Sequence, residues 1–314
     1  MSIKTKHFFI FLPLAAFLFL MNANNANAAV SLPWSTTYNC PDWTQGDIYF
    51  TGTNSAGQTW KASPLDCDGV VNNGAWLTSS GSKEQITSSA NYPGGAGGKG
   101  QRQWNGDGIN NNSGGTDLQF ATPQSELWIR WYMKYEKGYQ WQILSYDKIL
   151  YIMTPNFSTN GGKSAIIEFY GFNQFGVSHQ GSIDPKLGQN TFSSNYGWSD
   201  VMGSATSDGQ WHAYEIHIKM ETSSTTADGV AEAWVDGNQI LSAKNVQYNI
   251  GGGGESGWGH FLIGSNQRYP LNGRDMAVDF DDIAVSTTGY IGPIASGIVA
   301  DTTPPSAPMG LVVQ

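Results

Sequence analysis

Two basic and two aromatic side chains alternate on one strand-like segment, and they are the clearest residues for chemistry in the chain. Within Glu126–Tyr135, every second position is Trp128, Arg130, Tyr132 or Lys134, the period at which side chains share one face of a β-strand. A guanidinium and an ammonium can pair with carboxylates, and an aromatic ring beside them can stack on a sugar. This face therefore either lines a groove for a carboxylate-bearing sugar or is an ordinary solvated strand surface.

A lysine and a tyrosine on two later segments could take part in the same chemistry. The apolar run Tyr139–Met153 continues the sheet and contains Lys148. Three placements of this lysine are open. It lies at a strand end with its ammonium reaching solvent, it is held in a cleft, or it forms a surface ion pair with Asp147 or Glu168. In the next alternating segment, Tyr170 shares the polar face with Glu168.

The stretch Gly209–Gly237 predicts two strands joined by a polar turn. Its first half alternates an apolar row with an ionisable row that has His217 at its centre, which is typical of a half-buried strand. Its second half ends at Asp236-Gly237, a tight-turn dipeptide. His217 is functional if its face is shared with Arg130, and otherwise it is an exposed residue of an outer sheet.

Two further side chains complete the predicted binding set. The segment Gln101–Trp104 predicts a short strand that presents Arg102, and a loop over Gly176–Ser182 carries His179. We assign both to substrate binding, together with Trp128, Tyr132 and Lys134.

Two oxygen-rich segments raise the question of calcium. The loop Asn105–Gly115 is rich in Asn and Asp, but it lacks the acidic end-ligand of an EF-hand loop, and turn chemistry explains it equally well. Asp281 and Asp282 interrupt the last predicted strand, Met276–Ser286, where they either accompany a strand bulge or hold a structural calcium. We expect no required cofactor and leave a structural calcium open.

The elements that must position these residues are strands. The chain contains 39 glycines and only 13% charged residues, and its alternating segments are separated by Gly, Asn, Ser and Pro clusters without long helical periodicity. This pattern predicts an all-β, two-sheet antiparallel β-sandwich. We assign it to one domain, residues 29–295.

The two ends of the chain differ from this body. Met1–Ala28 has a basic start, an apolar run and a small-x-small cleavage pattern at Ala26–Ala28, which together predict a signal peptide and a secreted protein. Residues 296–314 form a Pro-rich linker that resembles the start of a fibronectin type III module. In a secreted chain the two cysteines, Cys40 and Cys67, predict a disulfide, the alternative being two free thiols.

Charge limits the partners. The net charge is −9 with no basic block, which argues against nucleic acid, since phosphate binding needs clustered basic side chains. An anionic polysaccharide would need a local basic groove working against that net charge. We expect a monomer that has no membrane contact after the signal peptide is removed.

Several of these segments together resemble the concanavalin A-like lectin/glucanase superfamily. The resemblance rests on Gly209-Gln210-Trp211-His212, Trp234-Val235-Asp236-Gly237 and Asp281-Asp282-Ile283. Within that superfamily, the motif Glu126-Leu127-Trp128-Ile129-Arg130, followed by Lys148 and Tyr170, is similar to the jelly-roll polysaccharide lyases of the heparin-lyase-like and alginate-lyase-like groups.

The resemblance implies roles for particular residues. It makes Lys148 a candidate for charge stabilisation or proton transfer, Tyr170 a candidate acid/base and Arg130 a candidate carboxylate clamp. β-Elimination needs a base, a neutraliser for the uronate carboxylate and an acid for the leaving oxygen, roles that His217, Tyr132 and Lys134 could also fill. The implied partner is a polysaccharide.

Three functions stay open at this point. The chain is a lyase-like enzyme acting on an acidic polysaccharide, a non-catalytic carbohydrate-binding or cell-surface recognition module, or a structural adhesion domain. The strand signature that would place paired carboxylates in a glycosidase cleft is absent from the sequence. The Gly-x-Ser-x-Gly elbow of esterases is absent as well.

Overall fold

The structure of the chain is a computed structural model. It describes residues 32–38, 50–53, 59–62, 71–72, 75–78, 81–82, 84–105, 116–141, 146–155, 164–170, 174–180, 199–200, 206–248, 257–264, 270–274 and 276–295. The predicted signal peptide, the cysteines Cys40 and Cys67, the C-terminal linker 296–314 and residues 106–115 of the oxygen-rich loop lie outside these residues.

Most of the described chain belongs to two large antiparallel sheets, with strands numbered in chain order. The first sheet has eight strands, in the order β17-β16-β15-β10-β19-β8-β7, with β1 also paired to β19. These strands are β1 (Trp34–Thr36), β7 (Glu84–Thr87), β8 (Gly100–Asn105), β10 (Glu126–Tyr135), β15 (His212–Lys219), β16 (Gly229–Val235), β17 (Asn238–Val246) and β19 (Met276–Ser286).

The second sheet has seven strands in the order β14-β13-β12-β11-β18-β9-β4. They are β4 (Val71–Asn72), β9 (Thr116–Gln124), β11 (Tyr146–Met153), β12 (Ser164–Tyr170), β13 (Gln174–Gln180), β14 (Ser199–Asp200) and β18 (Trp258–Ile263). A separate four-stranded sheet contains β2 (Phe50–Thr53), β3 (Thr59–Ala62), β5 (Ala75–Thr78) and β6 (Gly81–Ser82), and one turn of 3-10 helix spans Ser88–Ala90.

One hydrophobic core joins the two large sheets. The first sheet contributes alternate residues of β10, such as Ile129 and Trp131, and the second sheet contributes Leu150, Ile152 and Phe261. All five side chains are fully buried. Because side chains alternate across a strand, the intervening residues of each sheet lie on its outer face. The predicted two-sheet antiparallel β-sandwich is confirmed.

The predicted hairpin has the expected geometry. Strands β15 and β16 pair antiparallel, and their register runs from the pair of Tyr214 and Val235 to the pair of Lys219 and Val230. The next turn, from β16 into β17, has left-handed backbone at Asp236 (φ 51°) and Gly237 (φ 79°). Two consecutive positive φ angles are the requirement of a type I′ turn, which follows the twist of the strands it joins.

The last strand contains the predicted bulge at its acidic residues. Arg130 pairs with Ala284 and Tyr132 with Asp281, so the two residues Asp282 and Ile283 face a single residue of β10. Asp282 has φ 47°, a left-handed conformation that Asp tolerates better than most residues. The bulge accounts for these aspartates through backbone geometry.

Two segments differ from the sequence-based prediction. Tyr139–Met153 was expected to continue the sheet of β10, but its strand begins at Tyr146 and belongs to the second sheet, while Tyr139 and Trp141 pack into the core. His179 was expected in a loop and instead lies in β13, where it pairs with Ala165. Within the described segments, none of the secondary structure is a helix long and apolar enough to span a membrane.

Candidate functional site

The predicted site residues are divided between the two sheets. Trp128, Arg130, Tyr132 and Lys134 lie on β10 and His217 on β15, on the outer face of the first sheet. Arg102 lies on β8 of the same sheet, with β19 between β8 and β10. Lys148, Tyr170 and His179 lie on β11, β12 and β13 of the second sheet. Since the core separates the sheets, Arg130 and His217 cannot meet Lys148 and Tyr170 at one sugar.

Arg102 and Lys134 share one buried carboxylate. The Nε and Nη2 atoms of Arg102 donate to the two oxygens of Asp279 at 2.7 and 2.9 Å, and Lys134 Nζ lies 2.9 Å from Asp279 Oδ2. The hydrogen bond that Arg102 donates to Asp279 raises the pKa of Arg102. Lys134 Nζ also lies 4.8 Å from the ring centroid of Trp211. Both cations are therefore held by groups of the protein itself.

Arg130 and Glu215 hold a segment that crosses the outer face of the first sheet, residues 287–295, which we call the C-terminal strap. Glu215 accepts hydrogen bonds from the backbone N–H groups of Ile291 and Gly292, both at 2.8 Å. Arg130 donates to the carbonyls of Gly292 and Asp282 at 3.4 and 3.3 Å. Burial raises the pKa of Glu215. The guanidinium and the carboxylate act here as anchors of the strap.

Tyr132 is covered from two directions. Its ring stacks on Tyr92 with centroids 3.9 Å apart and planes at 18°, and its hydroxyl accepts a hydrogen bond from Ile294 N–H at 2.7 Å. Burial raises the pKa of Tyr132 to about 12. Tyr92 belongs to the glycine-rich loop 91–99, so this loop and the strap meet over Tyr132.

The two bulge aspartates lie beneath the same loop. Asp281 accepts hydrogen bonds from the N–H groups of Tyr92 and Asp282 at 2.7 and 2.8 Å. A Cβ atom on Gly95 would lie 1.6 Å from Asp282 Oδ2, so only glycine fits there. Burial raises the pKa of Asp281 to about 8 and that of Asp282 to about 6. Among the described residues, no group of three or more His, Cys, Asp or Glu is arranged to hold a metal ion.

His217 lies in a network of side chains on the same face. Its Nδ1 lies 2.8 Å from Glu232 Oε2 and its Nε2 lies 2.9 Å from Glu126 Oε1. Trp128 covers one face of the imidazole ring. Glu232 also accepts from Gln239, and the hydrogen bond from His217 holds the pKa of Glu232 below its usual value despite burial. Both ring nitrogens are thus engaged by the protein.

On the second sheet, a bulge determines where Lys148 lies. Leu150 and Ile152 face the core, and strict alternation would place Lys148 in the core with them. The register instead shifts between Lys148 and Leu150, which leaves Ile149 without a partner on β12. Ile149 is fully buried in the core as well. The bulge therefore turns Lys148 to the outer face, as bulges next to functional sites often do.

Lys148 lies beside an aromatic ring and pairs with Glu168 in the backbone register. Its Nζ atom lies 5.5 Å from the ring centroid of Tyr151, and the residue is only 9% exposed. Tyr151 packs with Met153 and Leu262 in a second hydrophobic cluster, separate from the core. An ammonium against an aromatic ring in a water-poor setting interacts more strongly with an anion than one in bulk solvent.

The register places Tyr170 close to Lys148 on the sheet. Lys148 pairs with Glu168 across the β11–β12 ladder, and Tyr170 lies two residues further along β12. His179 on β13 pairs with Ala165, three residues before Glu168. The backbone register therefore places Lys148 and Tyr170 near each other in the ladder and His179 further away.

One histidine of this face was not singled out by the sequence analysis. His260 on β18 pairs with Met153 and with Gln119, which places it on the face of Lys148, about 15 Å away along the strand. In the sequence, the face of His260 is indicated by the alternation of His260 and Leu262 with the apolar residues Phe261 and Ile263. An alternation of four residues is too short to assign a face without the structure.

A glycine holds the bulge at Lys148. The N–H of Gly264 donates to the carbonyl of Ile149 at 2.7 Å. Gly264 has φ +85°, and a Cβ atom there would lie 2.1 Å from the amide nitrogen of Gln103, a fully buried residue of the first sheet. Any other residue at position 264 would strain the left-handed backbone and collide with the side chain of Gln103, so glycine is required beside the bulge.

The comparisons with known proteins bear on the fold. No protein-family model and no curated protein sequence matches the chain. The structure of the alginate lyase Aly36B matches with a TM-score of 0.51 at 15% identity, over 81% of this chain and 97% of that one. An endo-β-1,4-glucuronan lyase from the fungus Trichoderma reesei matches with a TM-score of 0.44 at 13% identity, over 78% of this chain and 95% of that one. The match with Aly36B bears on the fold alone: the chain is a two-sheet antiparallel jelly roll similar to that structure.

Proposed function

We propose that this protein is a secreted polysaccharide lyase-like enzyme that cleaves a uronate-containing polysaccharide by β-elimination on the outer face of the second sheet. The observation that carries the proposal is the bulge at Ile149, which turns Lys148 out of the core at a ladder position close to that of Tyr170. The fold shared with an alginate lyase supports the choice of substrate class.

The reaction needs three groups at one sugar. A base removes the proton from the carbon beside the uronate carboxylate, a cation stabilises the charge that develops on that carboxylate, and an acid protonates the leaving glycosidic oxygen. The C–H and C–O bonds break, a carbon–carbon double bond forms, and the proton count stays balanced. We assign charge stabilisation to Lys148 and the roles of both base and acid to Tyr170: its phenolate takes the proton from the carbon, and the resulting phenol gives that proton to the leaving glycosidic oxygen.

The setting of Lys148 suits this assignment. A cation placed against Tyr151 and shielded from water keeps its attraction for a carboxylate, because little solvent screens the pair. The chain is acidic overall, with a net charge of −9. A largely buried cation such as Lys148 therefore favours local recognition of one uronate over long-range attraction of a polyanion.

The direct test is incubation with alginate, glucuronan and glycosaminoglycans, followed by the ultraviolet absorbance of unsaturated uronates. Lys148→Ala and Tyr170→Phe should each lower turnover by about 10²–10⁴-fold while the far-ultraviolet circular dichroism stays that of the wild type. Lys244→Ala is the matched control, because Lys244 is 74% exposed on the first sheet. Absence of product across the whole panel would overturn the proposal. Retention on the same glycans without product would instead favour a non-catalytic binding module.

A further inference from the structure

A cleft of about 530 Å³ lies at the first sheet, away from the face of Lys148. It is lined by Pro33 and the N-terminal strand β1, by the end of β19 that pairs with β1, and by the start of the C-terminal strap up to Ile291. The volume falls within the range of roughly 300–1,000 Å³ that is typical of small-molecule sites. None of the proposed lyase residues lines it.

We propose that this cleft binds a neutral saccharide. All the residues that line it in the described part of the chain are uncharged, although the chain as a whole carries a net charge of −9. A uronate would find no cationic partner among these residues, and an exposed ammonium ligand would find no carboxylate. A ligand without charge fits this lining best.

The aromatic and hydroxyl groups of the cleft favour a sugar over a plain hydrocarbon. Trp34 and Tyr290 supply aromatic surface, and Ser35, Ser286 and Thr288 supply hydroxyl groups. The apolar face of a pyranose can pack on an aromatic ring while its hydroxyls exchange hydrogen bonds with serine and threonine. An aliphatic ligand would leave those hydroxyls without partners.

Tyr290 is the most accessible of these groups. It is 47% exposed, one of two large hydrophobic residues in the described chain with such exposure. Its ring lies 5.0 Å from that of Trp234 at a tilt of 49°. This contact supports one side of the Tyr290 ring. An oriented but exposed ring is suited to stacking on a ligand, because little side-chain freedom is lost on binding.

The cleft is formed before any ligand arrives. The strap that carries Tyr290 is bound to Glu215 through the N–H groups of Ile291 and Gly292, and Ile294 N–H is bound to the hydroxyl of Tyr132. These bonds fix the backbone directly after Tyr290. The wall of the cleft therefore needs little ordering when a sugar binds.

Isothermal titration with cellohexaose, xylohexaose and mannohexaose tests the proposal, with hexa-mannuronate as the acidic comparison. We expect at least one neutral hexasaccharide to bind, and Tyr290→Ala to weaken its affinity by at least about tenfold. Leu271→Ala is the matched control, because Leu271 is 49% exposed and does not line the cleft; it should leave the affinity unchanged.

Three outcomes would overturn the proposal. They are failure of all three neutral hexasaccharides to bind, equal affinity of the wild type and Tyr290→Ala, and loss of neutral binding in Lys148→Ala, which would place the ligand on the second sheet. The proposal is independent of lyase activity, because binding is measured with neutral sugars that cannot undergo uronate elimination. A protein without lyase activity could still bind them, and an active lyase could fail to bind them.

Discussion

Trp128 lies flat against the imidazole of His217, with ring centroids 4.1 Å apart and planes 5° from parallel. The remaining contacts of that imidazole are two carboxylates, one at each ring nitrogen. Two carboxylates facing the two nitrogens require a proton on each nitrogen or on one of the carboxyl groups. Trp128, Glu126 and Glu232 therefore hold His217 as a structural bridge between three strands, β10, β15 and β16.

Removing His217 should destabilise the fold more than it affects catalysis. His217→Ala leaves Glu126 and the largely buried Glu232 facing each other across a cavity, and we expect a loss of about 2–4 kcal/mol in the free energy of unfolding. Denaturant titration measures that loss. Turnover per folded molecule should stay near the wild-type value, because the proposed groove lies on the other sheet.

His212 offers the matched control for that experiment. It also lies between two carboxylates, Asp236 at 2.6 Å and Asp208 at 3.2 Å, but both partners are exposed. Since solvent screens exposed ion pairs, His212→Ala should cost less than about 1 kcal/mol. A His217→Ala protein of normal stability and no activity would move the chemistry to the first sheet.

The carboxyl of Asp282 should make stability fall as pH rises. Its Oδ2 atom is buried without a hydrogen-bond partner among the described residues, and burial raises its pKa from 3.8 to about 6. The native state thus keeps this proton longer than the unfolded chain. Its contribution to stability is complete below pH 3.8 and is lost as pH rises through about 6.

Asp282→Asn isolates this effect. Asparagine has the same shape, carries no charge and tolerates the positive φ of this position. The variant should match the wild type near pH 4 and exceed its free energy of unfolding by about 1–2 kcal/mol above pH 6. Because the charge of Asp282 also helps to raise the pKa of the adjacent Asp281, the difference between the two pH–stability curves reports Asp282 together with its coupling to Asp281. A difference that is constant with pH would refute the assignment.

The carboxylate of Glu215 should control the protection of the C-terminal strap. Glu215→Ala removes the acceptor of both Ile291 and Gly292 N–H groups, so hydrogen exchange at these two amides should speed up by at least about tenfold, which corresponds to the loss of about 1.4 kcal/mol. Tyr132→Phe removes only the acceptor of Ile294 N–H and should affect mainly that amide. Unchanged exchange in Glu215→Ala would mean that other contacts hold the strap.

The sequence predicted the fold because alternation is a local property. The row of core residues in β10 and the Asp236-Gly237 turn can be read without any knowledge of distant partners, and both agree with the structure. Which sheet a strand joins is a non-local property. The run Tyr139–Met153 was therefore assigned to the wrong sheet, since its alternation is equally compatible with pairing to either one.

The site was harder to predict for a related reason. Arg130, Lys134 and His217 have the residue types of a uronate site, but their partners Gly292, Asp279 and Glu232 come from segments that only the fold brings near. The bulge at Lys148 also breaks the alternation on which face assignment rests. Sequence reasoning grouped Lys148 and Tyr170 with Arg130 and His217, and the division of their strands between two sheets separates the two pairs.

The glycine beside the bulge allows a test of how Lys148 is positioned. Gly264→Ala should lower the free energy of unfolding by about 2–4 kcal/mol, because a Cβ atom combines left-handed backbone strain with a collision against the buried Gln103. Gly273→Ala is the matched control. Gly273 has φ +69°, and nothing lies within 4 Å of its Cβ position, so backbone strain alone should cost about 1 kcal/mol. Denaturant unfolding compares the two.

The same pair of variants separates positioning from simple instability. Since Gly264 N–H holds the carbonyl of Ile149, a shift of Gly264 should disturb the bulge and with it the direction of Lys148. Under conditions where both variants are fully folded, Gly264→Ala should lower uronate turnover by about tenfold or more, whereas Gly273→Ala should not, because a misplacement of about 1 Å is costly in catalysis. Equal turnover in the two folded variants would show that the bulge does not control the position of Lys148.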